Sequence, residues 1–205
     1  MSNNWVITPE KYLSEEEVKS LVKTCRDAAQ LAKEKGNWIA VRDWMVIDLA
    51  LHTGLRVAEL SNLRVGDLHL DYGEKSLTVR NGKGGKDRVV KFGSEVKRHI
   101  KEYLDSRPSD SEYVFPSSRQ ARMSRSAIQK MVKKWMEDAG LPGHYSVHSL
   151  RHTYATRLYK ASGHNLRLVQ KQLGHASVQT TQVYADITDA DVEDAVERLH
   201  EEGLL

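Results

Sequence analysis

The sequence predicts a mainly α-helical domain with one small antiparallel β-sheet, an α+β fold. Apolar residues recur at helical spacing over most of the 205 residues. Alternation typical of strands is convincing in only one stretch, residues 64–93. The chain has no internal repeat and no long linker, so we expect a single domain over residues 1–205.

Three helices are expected before the β region. The first begins after Ser14, which forms a capping-box pattern with Glu17, so that each side chain can satisfy a backbone N–H of the other. The second runs from about Trp38 to His52 and is rich in apolar residues. A Thr-Gly break separates it from a short third helix, Leu55–Leu63, which carries Arg56.

The β region predicts two or three antiparallel strands. A turn is expected at Tyr72-Gly73, and a glycine-rich loop over 81–85 separates the last two strands and holds Lys83. Helix returns afterwards, and one further helix includes Tyr184. The remaining predicted helices are Glu95–Asp105, Ser124–Ala139, Ser149–Ala161, Asn165–Leu173 and a last one capped by Asp189 that runs to about His200.

Composition narrows the function classes. Cys25 is the only cysteine, which excludes a disulfide framework and a thiolate zinc site and indicates a reducing, cytoplasmic setting. No apolar run is long enough to span a bilayer, so no membrane partner is expected. Residues 186–205 contain eight acidic residues and a single arginine, which leaves the rest of the chain strongly basic. A basic body of this kind favours a polyanionic partner.

Five side chains that together could carry out phosphoryl transfer follow one another along the chain: Arg56, His148, Arg151, His175 and Tyr184. Two guanidinium groups can bind the nonbridging oxygens of a phosphate in a planar, bidentate way. A histidine can transfer protons near neutral pH, and a tyrosine can act as a covalent nucleophile. The set can therefore attack a phosphodiester without a metal.

Each of these residues also has an ordinary structural interpretation. Arg56 can form a helix ion pair with Glu59 three residues later, and Lys83 can belong to a plain hairpin turn. Tyr184 can lie on the apolar face of a helix. Because a free phenol has a pKa of about 10, its use as a nucleophile requires positive charge or a base nearby.

A histidine series with a spacing of four residues raises the alternative of a metal site. The series consists of His144, His148 and His152. The zincin pattern requires a glutamate directly after the first histidine of its pair, but Ser149 follows His148. The pattern therefore does not favour a metal, and His152 is expected to be a packed or hydrogen-bonded residue.

Four motifs, in this order and spacing, resemble the catalytic domain of tyrosine recombinases, also called the phage integrase family, and look closest to its Xer-like branch. The resemblance covers nearly the whole chain from about Thr8. The motifs are TGLRVAEL, NGKGGKDRVV, HSLRHTYATRL and LGHASVQTTQVYADI.

The resemblance implies a role for each of the five side chains. Arg56 and Arg151 would bind the scissile phosphate, and His148 would transfer a proton. His175 would hydrogen-bond the phosphate, and Tyr184 would be the nucleophile. No cofactor and no metal are implied, because exchange of one phosphodiester for another conserves the number of bonds.

The hairpin lysine completes this set. Lys83 would protonate the leaving 5′ oxygen, and its neighbour Lys86 is the alternative for that role. Further basic residues are candidates for contacts with the DNA backbone. These are Arg80, Lys86, Arg88, Arg122 and Arg125.

The resemblance also implies partners and organisation. We expect residues 1–205 to be a catalytic domain with the tyrosine recombinase fold and a tail helix at about 189–200, without the N-terminal core-binding domain that usually precedes it. Double-stranded DNA is the expected partner, with assembly on DNA to a tetramer and a monomer in free solution. Two alternatives remain open: topoisomerase-like nicking and resealing without exchange, and a DNA-binding regulator that does not use its tyrosine.

Overall fold

A computed structural model describes residues 9–80, 87–119 and 121–174 of the chain. Within these ranges lie seven α-helices, three strands and short 3-10 turns at Pro9–Lys11 and Val65–Asp67. The helices are α1 (Glu15–Glu34), α2 (Trp38–Thr53), α3 (Val57–Asn62), α4 (Ser94–Ser106), α5 (Arg125–Asp138), α6 (Val147–Ala161) and α7 (Leu166–Leu173). The strands are β1 (Leu68–His69), β2 (Ser76–Val79) and β3 (Arg88–Lys91).

Local capping signals set the helix boundaries. The predicted capping box at the start of α1 is confirmed, since the Glu17 N–H donates to Ser14 Oγ at 3.2 Å and the Ser14 N–H donates to Glu17 Oε2 at 2.8 Å. Helix α6 begins at Val147, two residues earlier than predicted, because Ser146 is its N-cap and accepts the N–H of His148. His148 therefore lies inside the first turn of this helix.

The predicted sheet is confirmed, with three antiparallel strands in the order β1-β2-β3 among the described residues. Leu77 of the central strand pairs with Leu68 on one side and Val90 on the other. Strand β3 lies at an edge, and α7 packs beside it. The loop before β3, with Lys83 and Lys86, lies outside the described residues.

Helix α2 is the centre of the core. Its residues Val46, Ile47, Leu49 and Ala50 are all buried, and the helix contacts α1, α4, α5 and α6. Burial on every side explains why its apolar residues are not confined to one stripe. The central position of α2 means that its C-terminal end, which leads to Arg56, is held from several directions.

A smaller apolar cluster fixes α7 against α6. Ala155, Val169 and Leu173 are fully buried there, with Tyr154 packed against them. Within the described ranges, no helix has the length and apolar character that crossing a membrane requires. The predicted helix around Tyr184 and the tail helix lie outside the described residues.

Candidate active site

Arg56 lies at the N-cap of α3, directly after the turn that ends α2. The sequence placed it inside a helix that begins at Leu55, but the helix begins at Val57 because the carboxylate of Glu59 accepts the Arg56 N–H at 2.8 Å and replaces a helical partner. The same carboxylate accepts Nη1 of Arg56 at 2.9 Å. About a third of the Arg56 side chain (31%) remains exposed. Glu59 therefore holds the guanidinium while part of the side chain stays accessible to solvent.

Arg151 lies in α6 and is nearly enclosed, with 5% of its surface exposed. Nη1 donates to the carbonyl of Gly54 at 2.5 Å, and Nη2 donates to the carbonyl of Leu173 at 3.0 Å. These carbonyls belong to the C-terminal ends of α2 and α7, where backbone acceptors have no helical partner. One guanidinium therefore joins α6 to the turn before Arg56 and to the residues just before His175.

Gly54 adopts the left-handed conformation, with φ of 62°, and closes α2. A Cβ at this position would lie 2.5 Å from Cδ1 of Tyr154 and 2.8 Å from Cδ2 of Leu173. Helices α6 and α7 therefore pack directly against the backbone at this turn. This close packing explains how Arg151 reaches the Gly54 carbonyl.

His148 lies one helical turn before Arg151, on the exposed surface at the start of α6. Its side chain is exposed, and its ring forms no hydrogen bond to another described residue. His152, one turn further on, is partly buried, and burial lowers its pKa to about 4, helped by the neighbouring positive charge of His148 and Arg151. The two histidines therefore differ: only His148 is exposed.

Glu59 connects Arg56 to Arg88 of β3. Nη1 and Nη2 of Arg88 donate to Oε1 and Oε2 of Glu59, both at 2.8 Å. Burial works to raise the pKa of the Glu59 carboxyl, but the hydrogen bonds and charge of Arg88, with smaller contributions from Arg56, outweigh it and lower the pKa to about 2. The carboxylate is thus ionised throughout the pH range in which proteins usually work.

The remaining basic candidates lie on the surface. Arg80 is exposed and donates to Asp67, and Arg122 is exposed and donates to Asn62. Arg125 is exposed at the first residue of α5. Their exposure is compatible with the predicted DNA contacts, which stay predictions. Lys83, Lys86, His175 and Tyr184 lie outside the described residues.

Comparison with known proteins identifies the family of this chain. The sequence profile described as the phage integrase family matches residues 11–191. The chain belongs to this family. The tyrosine recombinase XerA of Pyrococcus furiosus is 38% identical to it over 191 residues, which cover 92% of this chain and 61% of the relative. The tyrosine recombinase XerC of Caldanaerobacter subterraneus is 40% identical over 162 residues, 77% of this chain and 44% of the relative.

Solved structures of the family share the fold. A crystal structure of XerA recombinase superimposes with a TM-score of 0.72 at 34% identity and covers 91% of this chain and 64% of that one. The XerH site-specific recombinase bound to its difH substrate, in a pre-cleavage complex, gives a TM-score of 0.75 at 28% identity, with 91% and 53% covered. The predicted fold is confirmed. The chain spans about 61% of the length of the XerA relative.

Sequence reasoning missed two parts of the site of this phage integrase family member. Glu59 was considered only as an ordinary ion-pair partner of Arg56, although its spacing of three residues is the signal of a capping carboxylate. Arg88 was expected to contact DNA, which stays a prediction; the sequence did not indicate that both of its terminal nitrogens donate to Glu59 and that only 13% of its side chain is exposed. No local pattern marks a contact between residues 29 positions apart.

Proposed function

We propose that this protein cleaves and rejoins DNA strands by site-specific recombination through a 3′-phosphotyrosyl intermediate. The observation that carries the proposal is the position of Arg151, whose guanidinium joins the turn before Arg56 to the end of α7. His148 lies on the same helix, and His175 follows α7 in the sequence. The described segments that bear Arg56 and His148, and the one that precedes His175, therefore converge on one guanidinium.

In the proposed reaction, the Tyr184 oxygen attacks the scissile phosphorus. The new bond joins that oxygen to phosphorus, the bond from phosphorus to the 5′ oxygen breaks, and Lys83 gives the leaving oxygen its proton. A 5′-hydroxyl of a partner duplex then attacks the phosphorus and gives its proton to Lys83, while the bond from phosphorus to the Tyr184 oxygen breaks and His148 returns a proton to the tyrosine. One phosphodiester is exchanged for another, so the energy of the bond is kept and no nucleotide triphosphate is consumed.

Arg56 and Arg151 would stabilise the negative charge that builds up on the nonbridging oxygens. Both guanidiniums are held before substrate arrives, one by a carboxylate and the other by two carbonyls. Losing one preorganised donor of this kind commonly costs roughly 3–4 kcal/mol in the transition state. His148, exposed beside Arg151, would exchange a proton with the tyrosine, and His175 would add a hydrogen bond to the phosphate.

Double-stranded DNA is the proposed substrate. The exposed arginines Arg80, Arg122 and Arg125 would contribute contacts to its backbone, which makes binding sensitive to salt. The XerH structure that resembles this chain contains its difH substrate, which supports a DNA partner here. Assembly on DNA through the tail helix at about 189–200 stays a prediction, because that segment lies outside the described residues.

The decisive experiment is a covalent trap in the presence of EDTA. The 205-residue chain and its Tyr184→Phe variant are mixed with nicked suicide duplexes, drawn from a randomised pool if no target is known. We expect a protein–DNA complex that survives SDS, forms with the natural chain and is absent with Tyr184→Phe. The natural chain should also yield recombinant product from paired duplexes of the selected sequence.

Other outcomes favour the alternatives. A tyrosine-dependent complex that relaxes supercoiled DNA but gives no recombinant product would favour nicking and resealing without exchange. DNA binding that is the same with phenylalanine at position 184, without a covalent complex, would favour a binding-only regulator. Loss of activity on addition of EDTA would contradict the metal-independent chemistry.

A further inference from the structure

We propose that Arg88 is a positioning residue of the active site rather than a contact to DNA. It holds Glu59, and through Glu59 it holds Arg56, in the arrangement that binds the scissile phosphate. It also packs against the turn at Gly174, which leads directly to His175 in the sequence. This inference rests on the strand-cleavage function proposed above and identifies a further residue on which that function depends.

The first argument is the pair of hydrogen bonds that Arg88 donates to Glu59. Both terminal nitrogens form parallel bonds of 2.8 Å to the two oxygens of Glu59, the bidentate geometry that fixes an arginine most firmly. The side chain is 13% exposed, and its Nε is buried without a hydrogen-bond partner among the described residues. To reach a DNA phosphate, Arg88 would have to leave a largely buried carboxylate, which makes it a poor backbone contact.

The second argument is that the Glu59 carboxylate is shared. Oε1 accepts Nη1 of Arg56 as well as Nη1 of Arg88, and Oε2 accepts the backbone N–H of Arg56 as well as Nη2 of Arg88. Each oxygen therefore receives two donors, which matches the acceptor capacity of a carboxylate. Rotation of Glu59 after loss of Arg88 would shift both the backbone and the guanidinium of Arg56.

The third argument is charge. A pair of Arg56 and Glu59 alone would be neutral, and a neutral pair attracts a phosphate weakly. With Arg88 on the same carboxylate, the three groups carry one net positive charge at the place where the phosphate is expected. Arg88 thus lets Glu59 orient Arg56 without cancelling its charge.

The fourth argument is the contact with the end of α7. Gly174 has φ of 66°, and a Cβ there would lie 2.5 Å from Cδ and 2.7 Å from Nε of Arg88. The Arg88 side chain therefore runs directly over this backbone, on the turn whose preceding carbonyl, that of Leu173, is held by Arg151. Arg88 and Arg151 together restrain the residues that lead into His175.

Strand β3 is also held to α7 by hydrogen bonds that do not involve Arg88. The role of Arg88 can therefore be tested by substitution. The side-chain amide of Gln172 accepts the Lys91 N–H at 3.3 Å and donates to the Lys91 carbonyl at 2.5 Å. It also donates to the hydroxyl of Tyr154 at 2.9 Å. Because these bonds do not involve Arg88, a substitution at position 88 leaves the strand anchored and changes the site locally.

The test separates catalysis from binding for Arg88→Met and for Arg88→Lys, which keeps the charge but loses the forked geometry. Single-turnover formation of the covalent complex is measured at saturating DNA and normalised to the folded fraction, and DNA affinity is measured over a range of salt concentrations. We expect the cleavage rate of Arg88→Met to fall about tenfold or more, with Arg88→Lys intermediate, because Arg56 is displaced. DNA affinity and its salt dependence should stay within about threefold of the natural chain.

A double-variant cycle tests whether Arg88 acts through Glu59. If it does, the Glu59→Gln, Arg88→Met double variant should cleave within about threefold of Glu59→Gln alone, rather than show the product of both losses. Arg157→Met is the matched control, because Arg157 also makes a bidentate bond to a glutamate, Glu15, across two helices but on the exposed surface. Its cleavage rate should equal that of the natural chain.

The outcomes distinguish this inference from the proposed function. If the natural chain forms no tyrosine-dependent complex, the cleavage function fails and the inference fails with it. If the natural chain cleaves, but Arg88→Met weakens DNA binding and flattens its salt dependence at an unchanged rate, Arg88 is a phosphate contact and the inference alone is overturned. A rate unchanged in both Arg88 variants, or independent and multiplicative losses in the cycle, would also overturn it.

Discussion

Glu59 at the active site and Asp48 in α2 are both largely buried carboxylates that receive two basic side chains, yet the two clusters behave differently. The partners of Glu59 are arginines. The partners of Asp48 are His52, whose Nδ1 lies 3.2 Å from Oδ1, and His99, whose Nδ1 lies 2.9 Å from Oδ2. Arginine stays protonated in proteins, whereas histidine changes its charge near neutral pH. The first cluster therefore has a fixed charge, whereas the second contains His52, whose pKa is raised by Asp48.

The difference separates two tasks in the fold: keeping a constant charge at the candidate site, and packing α2 against α4. The charge that we propose faces a phosphate comes from arginines, which stay protonated, and from Glu59, whose pKa is about 2, so it does not change near neutral pH. The Asp48 cluster joins α2 to α4, with Asp48 only 1% exposed, and serves packing. Titration of His52, whose pKa is raised by Asp48, should change stability without changing the charge of the Glu59 cluster. Substitutions that remove one cluster at a time test this separation.

The largest effect is expected from replacing the two carboxylates in parallel, as Glu59→Gln and Asp48→Asn. Glu59→Gln leaves two arginines sharing one neutral amide, so the single-turnover cleavage rate should fall about 100-fold or more and the free energy of unfolding by about 3 kcal/mol. Asp48→Asn should lower the free energy of unfolding by roughly 1–3 kcal/mol through its weakened hydrogen bonds. Its cleavage rate per folded molecule should change by less than about threefold.

Urea unfolding and the covalent trap measure these two quantities. Glu112→Gln is the control for the glutamate change, since Glu112 forms one exposed ion pair with Arg64 and should alter stability by less than about 1 kcal/mol. If Asp48→Asn slowed cleavage as much as Glu59→Gln did, the two clusters would not be separate in function.

Local hydrogen bonds could be predicted from the sequence, whereas the long-range pairs in the two clusters could not. The start of α1 was predicted because Ser14 and Glu17 are three residues apart and their hydrogen bonds are local. The pairing of Arg88 with Glu59 spans 29 positions, and that of His99 with Asp48 spans 51. Such contacts depend on how α3 meets β3 and how α2 meets α4, which residue spacing does not encode.

Sequence reasoning named part of the candidate site. Motif order led to Arg56, His148 and Arg151; the structure places Arg56 at the N-cap of α3 and the other two on α6, where Arg151 bonds to the end of α2. Sequence could not show that Arg151 would be enclosed by two backbone carbonyls, because those acceptors are the unpaired ends of other helices. Nor could it show that Arg88 contacts Glu59. Strand alternation predicts which residues share a face of the sheet, but not which residues of other elements pack against that face.

A smaller effect is expected at Gly54, which lies between His52 of one cluster and Arg56 of the other in the sequence. Gly54→Ala places a methyl group within 2.5 Å of the Tyr154 ring and forces a left-handed conformation on alanine. We expect a loss of about 2–4 kcal/mol in the free energy of unfolding, the sum of overpacking and backbone strain. Because the Gly54 carbonyl holds Arg151, the cleavage rate should fall as well.

Gly36→Ala separates the two causes of this loss. Gly36 also has a positive φ, of 67°, but a Cβ there would meet no atom within 4 Å. Its loss should be about 1 kcal/mol, from backbone strain alone, with an unchanged cleavage rate. Equal losses in urea unfolding for Gly36→Ala and Gly54→Ala would show that α6 and α7 yield to the added methyl group and that the packing at this turn is loose.

The smallest effect is expected from titration of the Asp48 cluster. The hydrogen bond that His52 donates to the Asp48 carboxylate raises the pKa of His52 above its ordinary value, although burial opposes the shift. A group whose pKa is raised by folding stabilises the folded state fully below its unfolded value, about 6.5 for histidine, and this contribution is lost as the pH rises through the folded value. The melting temperature of the natural chain should therefore fall above about pH 6.5 relative to that of His52→Gln.

The size of this difference is limited because nearly half of the His52 side chain (47%) is exposed, so solvent screens its charge. We expect a relative change of about 1–3 °C between pH 6 and pH 8, measured by thermal unfolding of both chains in matched buffers. Cleavage per folded molecule should follow the same pH profile in both, because the charge of the Glu59 cluster does not change in this range. Parallel melting curves would show that folding does not change the titration of His52, and a shifted cleavage profile would show that His52 influences the site through α2.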